Sequence, residues 1–304
     1  MASTTPKDPT FRSYSAQEAK AYATKRLSYE TEIYDTVLTY HSDTGGRFGL
    51  LLDVGCGPGN ATRDVAHSFD HAIGVDPGAA MIDAARELSG KTKMGNEILY
   101  KVSPAEEISS VEELKEGSVD LLIAAMAAHW FDMDKFWAEA AWVVKPGGTV
   151  ALFTCYPDTP NYAKVQEIHL RLERETLGPY AQPGNIISMN MYDDLPLPWT
   201  VSTPVEAFPK SEFVKHEYDR DGVLSNGVSF FSGDSTETLD EAEQGMGTAS
   251  MVTRWRAAHP ELVGTDKDVV KAYVNELRDA LPKDHQKLTT GTATAILFFK
   301  KAAN

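Results

Sequence analysis

Three glycines at alternate positions, Gly55, Gly57 and Gly59, are the residues of this chain best placed for binding chemistry. They follow Leu50–Val54, a short apolar run without a helical period, which is typical of a strand buried on both faces of a parallel sheet. A helical stretch begins near Asn60. Strand, glycine-rich turn and helix form the nucleotide-binding opening of a doubly wound α/β domain. Without a Cβ, glycine also lets a ligand touch the main chain.

The spacing of these glycines argues against a dinucleotide fingerprint. That fingerprint reads G-x-G-x-x-G/A, but its last position falls on Asn60 in the register of Gly55 and on Thr62 in the register of Gly57. Pro58 also removes an N–H from a turn that would have to cradle a pyrophosphate. We therefore expect the chain not to bind NAD.

An acidic residue, Asp76, ends the next predicted strand, His71–Asp76. At this place in a doubly wound fold a carboxylate accepts hydrogen bonds from the ribose hydroxyls of an adenosine cofactor. Pro77 and the predicted helix Ala79–Leu88 follow, so Asp76 also suits the N-cap of that helix. The two roles are compatible.

A histidine and a tryptophan, His129 and Trp130, come soon after the predicted strand Ser118–Ala125. Ligands of open α/β sheets bind outside the carboxyl ends of the strands, so both residues fall on the rim of the expected site. Trp130 could pack on a cofactor or on a flat substrate. His129 could be a general base or a hydrogen-bonded structural residue.

Alternation of strands and helices predicts a right-handed, mostly parallel sheet. The remaining predicted strands of this part are Glu97–Val102 and Thr149–Thr154, and its helices are 12–40, Ala61–Phe69, Ala79–Leu88 and Met133–Val143. Beyond them the pattern predicts helices over 158–177 and 265–281, and a helical stretch over 235–258 that is interrupted by Gly245 and Gly247. It also predicts a loop-rich stretch over 180–209 and strands over 213–218 and 289–299. The predicted fold class is α/β: a doubly wound, mostly parallel seven-stranded sheet with helical cap insertions.

Composition excludes several classes of function. The chain has 304 residues, 42% of them hydrophobic, and a net charge of −15. Without a basic face, nucleic-acid binding is not expected. No run of 18 apolar residues and no signal-peptide core are present, so we expect neither a membrane partner nor secretion. Two cysteines, Cys56 and Cys155, indicate a reduced, cytoplasmic setting. No metal-ligand cluster has a recognisable spacing, and a monomer and a homodimer stay open.

The pattern D-x-G-x-G-x-G from Asp53 to Gly59 resembles motif I of class I S-adenosylmethionine-dependent methyltransferases. The turn Lys-Pro-Gly-Gly-Thr149 also matches that family, and residues 48–154 carry the resemblance. A narrower likeness is to fungal trans-aconitate methyltransferase-like proteins. It rests on Ala-His-Trp-Phe-Asp132, on Leu-Gly-Pro-Tyr180 with Gln-Pro-Gly184, and on Tyr22 and Arg26. Leu27 departs from that narrower pattern, where proline is expected, and the acidic C-terminal half suits a tricarboxylate poorly.

The resemblance implies S-adenosyl-L-methionine as cofactor and no metal. It implies cofactor contacts at Tyr22, Arg26, Asp53, Gly55, Gly57, Gly59, Asp76, Pro77, Met81, Pro104, Ala105 and Ala125. Pro104 stands near the usual polar position, which leaves the amide of Ala105 for the adenine. Expected substrate contacts are His129, Trp130, Tyr180 and Trp255, with His129 as the catalytic residue.

The expected organisation has three regions: an N-terminal helical lid over 1–40, a cofactor-binding core over 41–154, and a C-terminal part over 155–304 whose insertions cap a substrate pocket. The expected reaction is in-line methyl transfer to a small molecule, as an O-methyltransferase acting on an organic acid or a hydroxylated secondary metabolite of the fungal kind. A carboxylate nucleophile needs no base, whereas a phenol, enol or amine could use His129. Two alternatives keep the cofactor: non-methylating chemistry such as cyclisation or isomerisation, and a non-catalytic regulator.

Overall fold

The computed structural model describes residues 29–158, 163–247, 249–283 and 286–303. The chain divides into two compact units. The first comprises the chain up to Thr154, the segment Tyr192–His216 and the residues from Ala295 on. The second comprises Cys155–Met191 and Glu217–Thr294. The chain therefore leaves the first unit after Thr154 and returns to it twice.

Eight strands form one sheet, and seven of them follow the order β3-β2-β1-β4-β5-β8-β6. Their bounds are β1 Leu50–Val54, β2 His71–Asp76, β3 Leu99–Val102, β4 Val119–Ala125, β5 Val144–Asp158, β6 Val214–Tyr218, β7 Ser235–Thr238 and β8 Lys287–Lys300. The pairs β1–β2, β1–β4, β2–β3 and β4–β5 are parallel. The predicted fold class is confirmed, with β7 added as an antiparallel partner of β8.

Strand β1 lies between β2 and β4, so the chain order reverses beside it. This is the topological switch point at which open α/β sheets bind their ligands. All seven residues of β4 are buried, as are the last four of β1. Such continuous burial explains why the two strands are mostly apolar rather than alternating. Each strand contains one buried aspartate, Asp53 in β1 and Asp120 in β4. The glycine turn after β1 is thereby held on a rigid part of the sheet.

The helices of the first unit are α1 Thr31–Asp43, α2 Asn60–Ala66, α3 Ala79–Leu88 and α4 Met133–Val143. The predictions for α3 and α4 are confirmed to the residue. The helix predicted over 12–40 is confirmed for residues 31–40, which belong to α1. It is wrong at Glu30, which is extended (φ −63°, ψ 144°) and is the N-cap of α1. The rest of that prediction lies outside the described residues.

The second unit is mainly helical, with an apolar core that includes Val252, Val270, Val274 and Leu277. Its helices are α5 Ala163–Arg171, extended by a π-helical stretch Leu172–Thr176, then α6 Pro183–Met189, α7 Leu239–Met246, α8 Ser250–Ala258 and α9 Val269–Ala280. Among the described residues, no helix is long and apolar enough to cross a membrane.

The loop-rich stretch predicted over 180–209 contains one short helix, α6. One prediction in this unit is wrong at its start. The predicted helix from Ser235 begins only at Leu239, because Ser235–Thr238 pairs with β8 as β7. Thr238 and Glu241 form a capping box, in which the threonine hydroxyl accepts from the Glu241 amide and the glutamate accepts from the Thr238 amide. That T-x-x-E signal marks the helix start and was available in the sequence.

Candidate functional site

The glycine turn leaves the carboxyl end of β1 with its three glycines in the left-handed region. Their φ angles are 72° at Gly55, 54° at Gly57 and 82° at Gly59. Residues with a Cβ rarely adopt such angles, so the backbone path itself requires glycine. Gly59 is also the N-cap of α2, which starts the helix directly from the turn.

The surroundings of the three glycines differ. A Cβ on Gly55 would lie 2.5 Å from the Cβ of Ala127, and a Cβ on Gly59 would lie 2.6 Å from the hydroxyl of Tyr100. A Cβ on Gly57 would meet no atom of the described residues within 4 Å. Gly55 and Gly59 must therefore lack a side chain because Ala127 and Tyr100 pack against them. In the described part of the chain, Gly57 alone of the three has open space beside it, where a ligand can approach the main chain.

Asp76, at the end of β2, is joined directly to this turn. Its Oδ2 accepts a hydrogen bond from the Gly57 amide at 3.0 Å, and its Oδ1 accepts one from the Gly78 amide at 2.7 Å. Gly78 is the N-cap of α3, so the carboxylate also supports the start of that helix. Asp76 is therefore not itself the N-cap, because Gly78 occupies that position. Its carboxylate acts on the helix start only through the Gly78 amide, and ribose binding by Asp76 stays a prediction.

Asp53 lies inside β1 and is fully buried. Its Oδ2 accepts a hydrogen bond from the Thr62 hydroxyl at 2.6 Å, which ties α2 to the strand, while its Oδ1 has no hydrogen-bond partner among the residues that the structure describes. Burial, assisted by the nearby charge of Asp76, raises the pKa of Asp53 to about 7, against the opposing hydrogen bond from Thr62. A buried, unpartnered acidic oxygen at this position is a second unusual feature beside the glycine turn.

Most of the other expected cofactor residues of the first unit lie at or just past the ends of β2, β3 and β4, and Met81 lies in the first turn of α3. Pro77 and Pro104 are half-buried, whereas Met81, Ala105 and Ala125 are buried. Sequence reasoning missed Glu106, whose Oε1 accepts a hydrogen bond from the Asp132 amide at 2.8 Å. That bond ties the segment after β3 to the segment after β4. The two residues are adjacent only in space, so no local pattern indicated it.

His129 lies in a short 3₁₀ turn, Ala128–Trp130, just past the end of β4. It is 8% exposed, and its Nδ1 lies 3.0 Å from the hydroxyl of Tyr192. The ring of Trp130 lies 4.9 Å from the ring of His129. The Tyr192 hydroxyl in turn donates to the main-chain oxygen of Phe153, on β5, at 3.3 Å. Sequence reasoning missed Tyr192, because 63 residues separate it from His129 and no motif surrounds it.

Tyr180 and Trp255 belong to the second unit, as does Arg254. The Tyr180 hydroxyl lies 2.7 Å from Nε2 of His259, and the Trp255 ring packs 4.6 Å from that imidazole. Trp255 is 8% exposed and is part of the core of its unit. Arg254 donates to the Tyr180 main-chain oxygen at 2.7 Å. Substrate binding by Tyr180 and Trp255 stays a prediction.

The expected contacts from Tyr22 and Arg26 lie outside the described residues. Among the described residues, no group of three or more His, Cys, Asp or Glu side chains could hold a metal ion.

Comparison with known proteins identifies the region that contains this site. Residues 52–152 match a family described as "Methyltransferase domain". This chain carries a methyltransferase domain. The match runs from β1 to β5, so the methyltransferase domain includes the glycine turn, Asp76 and His129. The predicted resemblance to this superfamily is confirmed.

Individual relatives of this chain also carry methyltransferase names. The chain is 23% identical over 265 residues to the "Probable S-adenosylmethionine-dependent methyltransferase CRG1" of Saccharomyces cerevisiae, covering 86% of this chain and 87% of that protein. It is 31% identical over 157 residues to a "Methyltransferase" of Claviceps purpurea, covering 50% of this chain and 46% of that protein. A solved structure titled a putative type II methyltransferase from Anaeromyxobacter dehalogenans superposes with a TM-score of 0.63 at 25% identity, covering 92% of this chain and 99% of that one.

The methyltransferase domain fits the cofactor of this superfamily, S-adenosyl-L-methionine. The open space at Gly57 admits a ligand against the main chain, and Asp76 offers a carboxylate beside it. The glycine turn follows the central strand at the switch point, where such a ligand is expected. The narrower likeness to trans-aconitate methyltransferase-like proteins stays a prediction.

Proposed function

We propose that this protein transfers a methyl group from S-adenosyl-L-methionine to a hydroxyl oxygen of a small molecule. The observation that carries the proposal is the buried pair of His129 and Tyr192 at the carboxyl end of β4, inside the methyltransferase domain. The protein CRG1 is named a probable S-adenosylmethionine-dependent methyltransferase, and we extend that cofactor-dependent activity to this chain.

The glycine turn and Asp76 hold the cofactor. The open face of Gly57 receives it against the main chain, and the Asp76 carboxylate accepts hydrogen bonds from its ribose. When bound, S-adenosyl-L-methionine supplies an electrophilic methyl group on a positively charged sulfur. The protein then has to bring a nucleophile into line with that group and exclude water, which are effects of orientation and desolvation.

His129 removes the proton of the attacking hydroxyl. A histidine is suited to this step because its ordinary pKa lies near neutrality. The imidazole is largely withdrawn from solvent and lies against the rings of Trp130 and Tyr192. An aromatic rim of this kind favours a flat, hydroxylated substrate over a small, highly charged one.

A carboxylate substrate is the weaker alternative, because it needs cations and no base. Arg26 and Arg254 are two arginines that could supply such a cation, and Arg26 lies outside the described residues. The guanidinium of Arg254 donates to the Tyr180 main-chain oxygen at 2.7 Å and to Oδ1 of Asn185 at 2.5 Å. These bonds join α8 to α6 and to the residues just before it. They give Arg254 a structural role that does not involve a substrate.

The test is transfer of a radioactive methyl group from labelled S-adenosyl-L-methionine to fractions of a metabolite extract. We expect a labelled neutral product that resists mild base, as an ether does and a methyl ester does not. His129→Ala should lower turnover by roughly 100-fold or more at unchanged cofactor affinity. Asp83→Asn, an exposed change on α3, is the matched control.

Three results would contradict the proposal. A base-labile methyl ester, formed at full rate by His129→Ala, would identify a carboxylate nucleophile. Tight cofactor binding without any labelled product would favour non-methylating chemistry or a regulatory role. Failure of the purified protein to bind S-adenosyl-L-methionine in calorimetry would remove the basis of the proposal.

A further inference from the structure

We infer that Tyr192 is a positioning residue that holds His129 in the tautomer with the proton on Nδ1. The inference deepens the proposed function, since it assigns the basic lone pair of His129 to Nε2. It concerns three groups of the first unit: the His129 imidazole, the Tyr192 hydroxyl and the main-chain oxygen of Phe153.

The direction of these hydrogen bonds follows from their chemistry. A main-chain oxygen can only accept, and a phenolic hydroxyl has a single proton to donate. The Tyr192 hydroxyl lies 3.3 Å from the Phe153 oxygen and 3.0 Å from Nδ1 of His129. Both contacts are hydrogen bonds at once only if Tyr192 donates to Phe153 and accepts from Nδ1–H. In the neutral imidazole the second nitrogen, Nε2, is then the base.

The acceptor at the end of this chain is itself held in place. The Phe153 oxygen also accepts a hydrogen bond from the Met126 amide at 3.0 Å. Met126 directly follows β4 and has a φ of 52°, while its neighbour Ala125 is paired with Phe153 across the two strands. Two donors on one oxygen use both of its lone pairs. The orientation of the Tyr192 hydroxyl is therefore fixed by a main-chain oxygen of the sheet.

The backbone at Tyr192 is unusual. Met191 and Tyr192 are consecutive non-glycine residues in the left-handed region, with φ of 51° and 62°. Both side chains are 2% exposed, so packing maintains a conformation that such residues rarely adopt. Strain of this kind is concentrated at functional sites, and here it sets the start of the segment Tyr192–His216.

Helix α4 anchors the same segment. The indole N–H of Trp137 donates to the Pro196 main-chain oxygen at 3.0 Å, and the Ser202 amide donates to Oδ1 of Asp134 at 2.6 Å. Tyr192 is thus tied to the element that follows the His129 turn. The phenol and the imidazole are held by the same unit, which keeps their separation constant.

The tautomer can be measured directly on protein labelled with 15N at histidine. Long-range proton–nitrogen correlation spectra, recorded where the imidazole is neutral, distinguish a protonated from an unprotonated ring nitrogen. Loss of one signal set in His129→Gln assigns the residue. We expect a protonated Nδ1 and an unprotonated Nε2 for His129 in the unaltered protein. A proton on Nε2 there would overturn the inference, and this measurement needs no variant at Tyr192 to fold.

Tyr192→Phe keeps the buried ring and removes the hydroxyl. We expect the His129 signals to move toward the Nε2–H form or to a mixture. Tyr180→Phe is the matched control, because its hydroxyl pairs with Nε2 of His259 in the second unit. That variant should move the His259 signals and leave those of His129 unchanged. An unchanged His129 tautomer in folded Tyr192→Phe would overturn the assignment of Tyr192.

Methyl-transfer assays separate this inference from the proposed function. With the labelled acceptor in hand, Tyr192→Phe should lose roughly 10- to 100-fold in kcat at nearly unchanged KM, a part of what a general base contributes. If the Nδ1–H tautomer is observed while His129→Ala retains full turnover, the proposed base is wrong although Tyr192 still sets the tautomer. If His129→Ala is inactive while the His129 tautomer is unchanged in Tyr192→Phe, the proposed base is supported and only the role assigned to Tyr192 is wrong.

Discussion

The main-chain N–H of Gly57 donates a hydrogen bond of 3.0 Å to Oδ2 of Asp76. It joins the two strongest signals of the sequence, the glycine turn after β1 and the acidic end of β2. The same carboxylate accepts from the Gly78 amide at 2.7 Å. Asp76 therefore supports the turn and the start of α3 while presenting its charge at the switch point. Loss of this carboxylate is expected to change the shape of the turn and to remove the proposed contact with the ribose of the cofactor.

We expect Asp76→Ala to weaken S-adenosyl-L-methionine binding by roughly 10- to 100-fold, which corresponds to the loss of hydrogen bonds to a charged group. Isothermal titration calorimetry measures the effect, with NAD as a ligand that should not bind either protein. Asp83→Ala, also acidic and near the start of α3 but exposed and paired with Arg86, should bind normally. Equal affinities of Asp76→Ala and the unaltered protein would show that Asp76 only supports the backbone.

Substitution of Gly57 and Gly59 should separate binding from folding. Both residues have positive φ, so alanine at either position carries a similar backbone strain, about 1–2 kcal/mol. Gly59→Ala also forces a Cβ to within 2.6 Å of the Tyr100 hydroxyl, and it should lower the melting temperature more. Gly57→Ala should fold and bind S-adenosyl-L-methionine more weakly, and Gly57→Val should not bind it.

Thermal unfolding and calorimetry of the two alanine variants test this contrast. Gly57→Ala serves as the control for backbone strain in Gly59→Ala. Equal melting temperatures would show that the Tyr100 ring moves aside without cost. Normal cofactor affinity of Gly57→Ala would place the ligand away from this turn.

Asp53 should make stability depend on pH. Burial raises the pKa of its carboxyl from 3.8 to about 7, so the folded protein binds a proton there that the unfolded chain has lost. The stabilising contribution is fully present below the unfolded pKa and is lost as pH rises through about 7. Asp53→Asn resembles the neutral acid and lacks this dependence. As the pH rises from about 5 to about 7, the free energy of unfolding of the variant should increase relative to that of the unaltered protein by roughly 1 kcal/mol per pH unit.

Urea unfolding of both proteins at several pH values measures this difference. Other titrating groups are common to the two proteins and cancel in the comparison. Parallel curves of unfolding free energy against pH would show that Asp53 keeps an ordinary pKa. A difference that grows toward low pH would reverse the predicted sign.

In the second unit, Arg256 and Asp268 should stabilise the fold. The guanidinium makes two hydrogen bonds to the nearly buried carboxylate, at 2.8 and 2.9 Å, and Oδ1 of Asp268 also caps α9 at the Val270 amide. Arg256→Met leaves that carboxylate without its cation and should cost about 2–3 kcal/mol. Arg278→Met, which breaks an exposed pair with Asp240, should cost roughly 1 kcal/mol or less.

Urea unfolding of the two methionine variants gives the comparison. Equal destabilisation by both changes would show that the Arg256–Asp268 pair contributes no more than a surface ion pair. Cofactor affinity should be unaffected in each variant, because the glycine turn and Asp76 belong to the first unit.

Most of the first unit could be predicted from local pattern. β2, α3 and α4 have the predicted bounds to the residue, because continuous apolar runs, helical periodicity and turn residues lie within the elements they define. Two helix predictions were wrong at their starts. The helix predicted through Tyr29 and Glu30 begins later because Glu30 is an extended N-cap, and the helix predicted from Ser235 begins later because Ser235–Thr238 pairs with another strand.

By itself, the sequence determined that a glycine turn follows a buried central strand and that an acidic residue ends the next one. Those features depend on neighbours within a few residues, where burial and backbone angles restrict the residue types directly. Only the tertiary structure decided which side chains pack against Gly55 and Gly59, and that, among the described residues, none lies close to the face of Gly57 where a Cβ would stand. It also decided that Tyr192 lies against His129, 63 residues away. Such a contact depends on where two returning segments pack, and no local spacing encodes that.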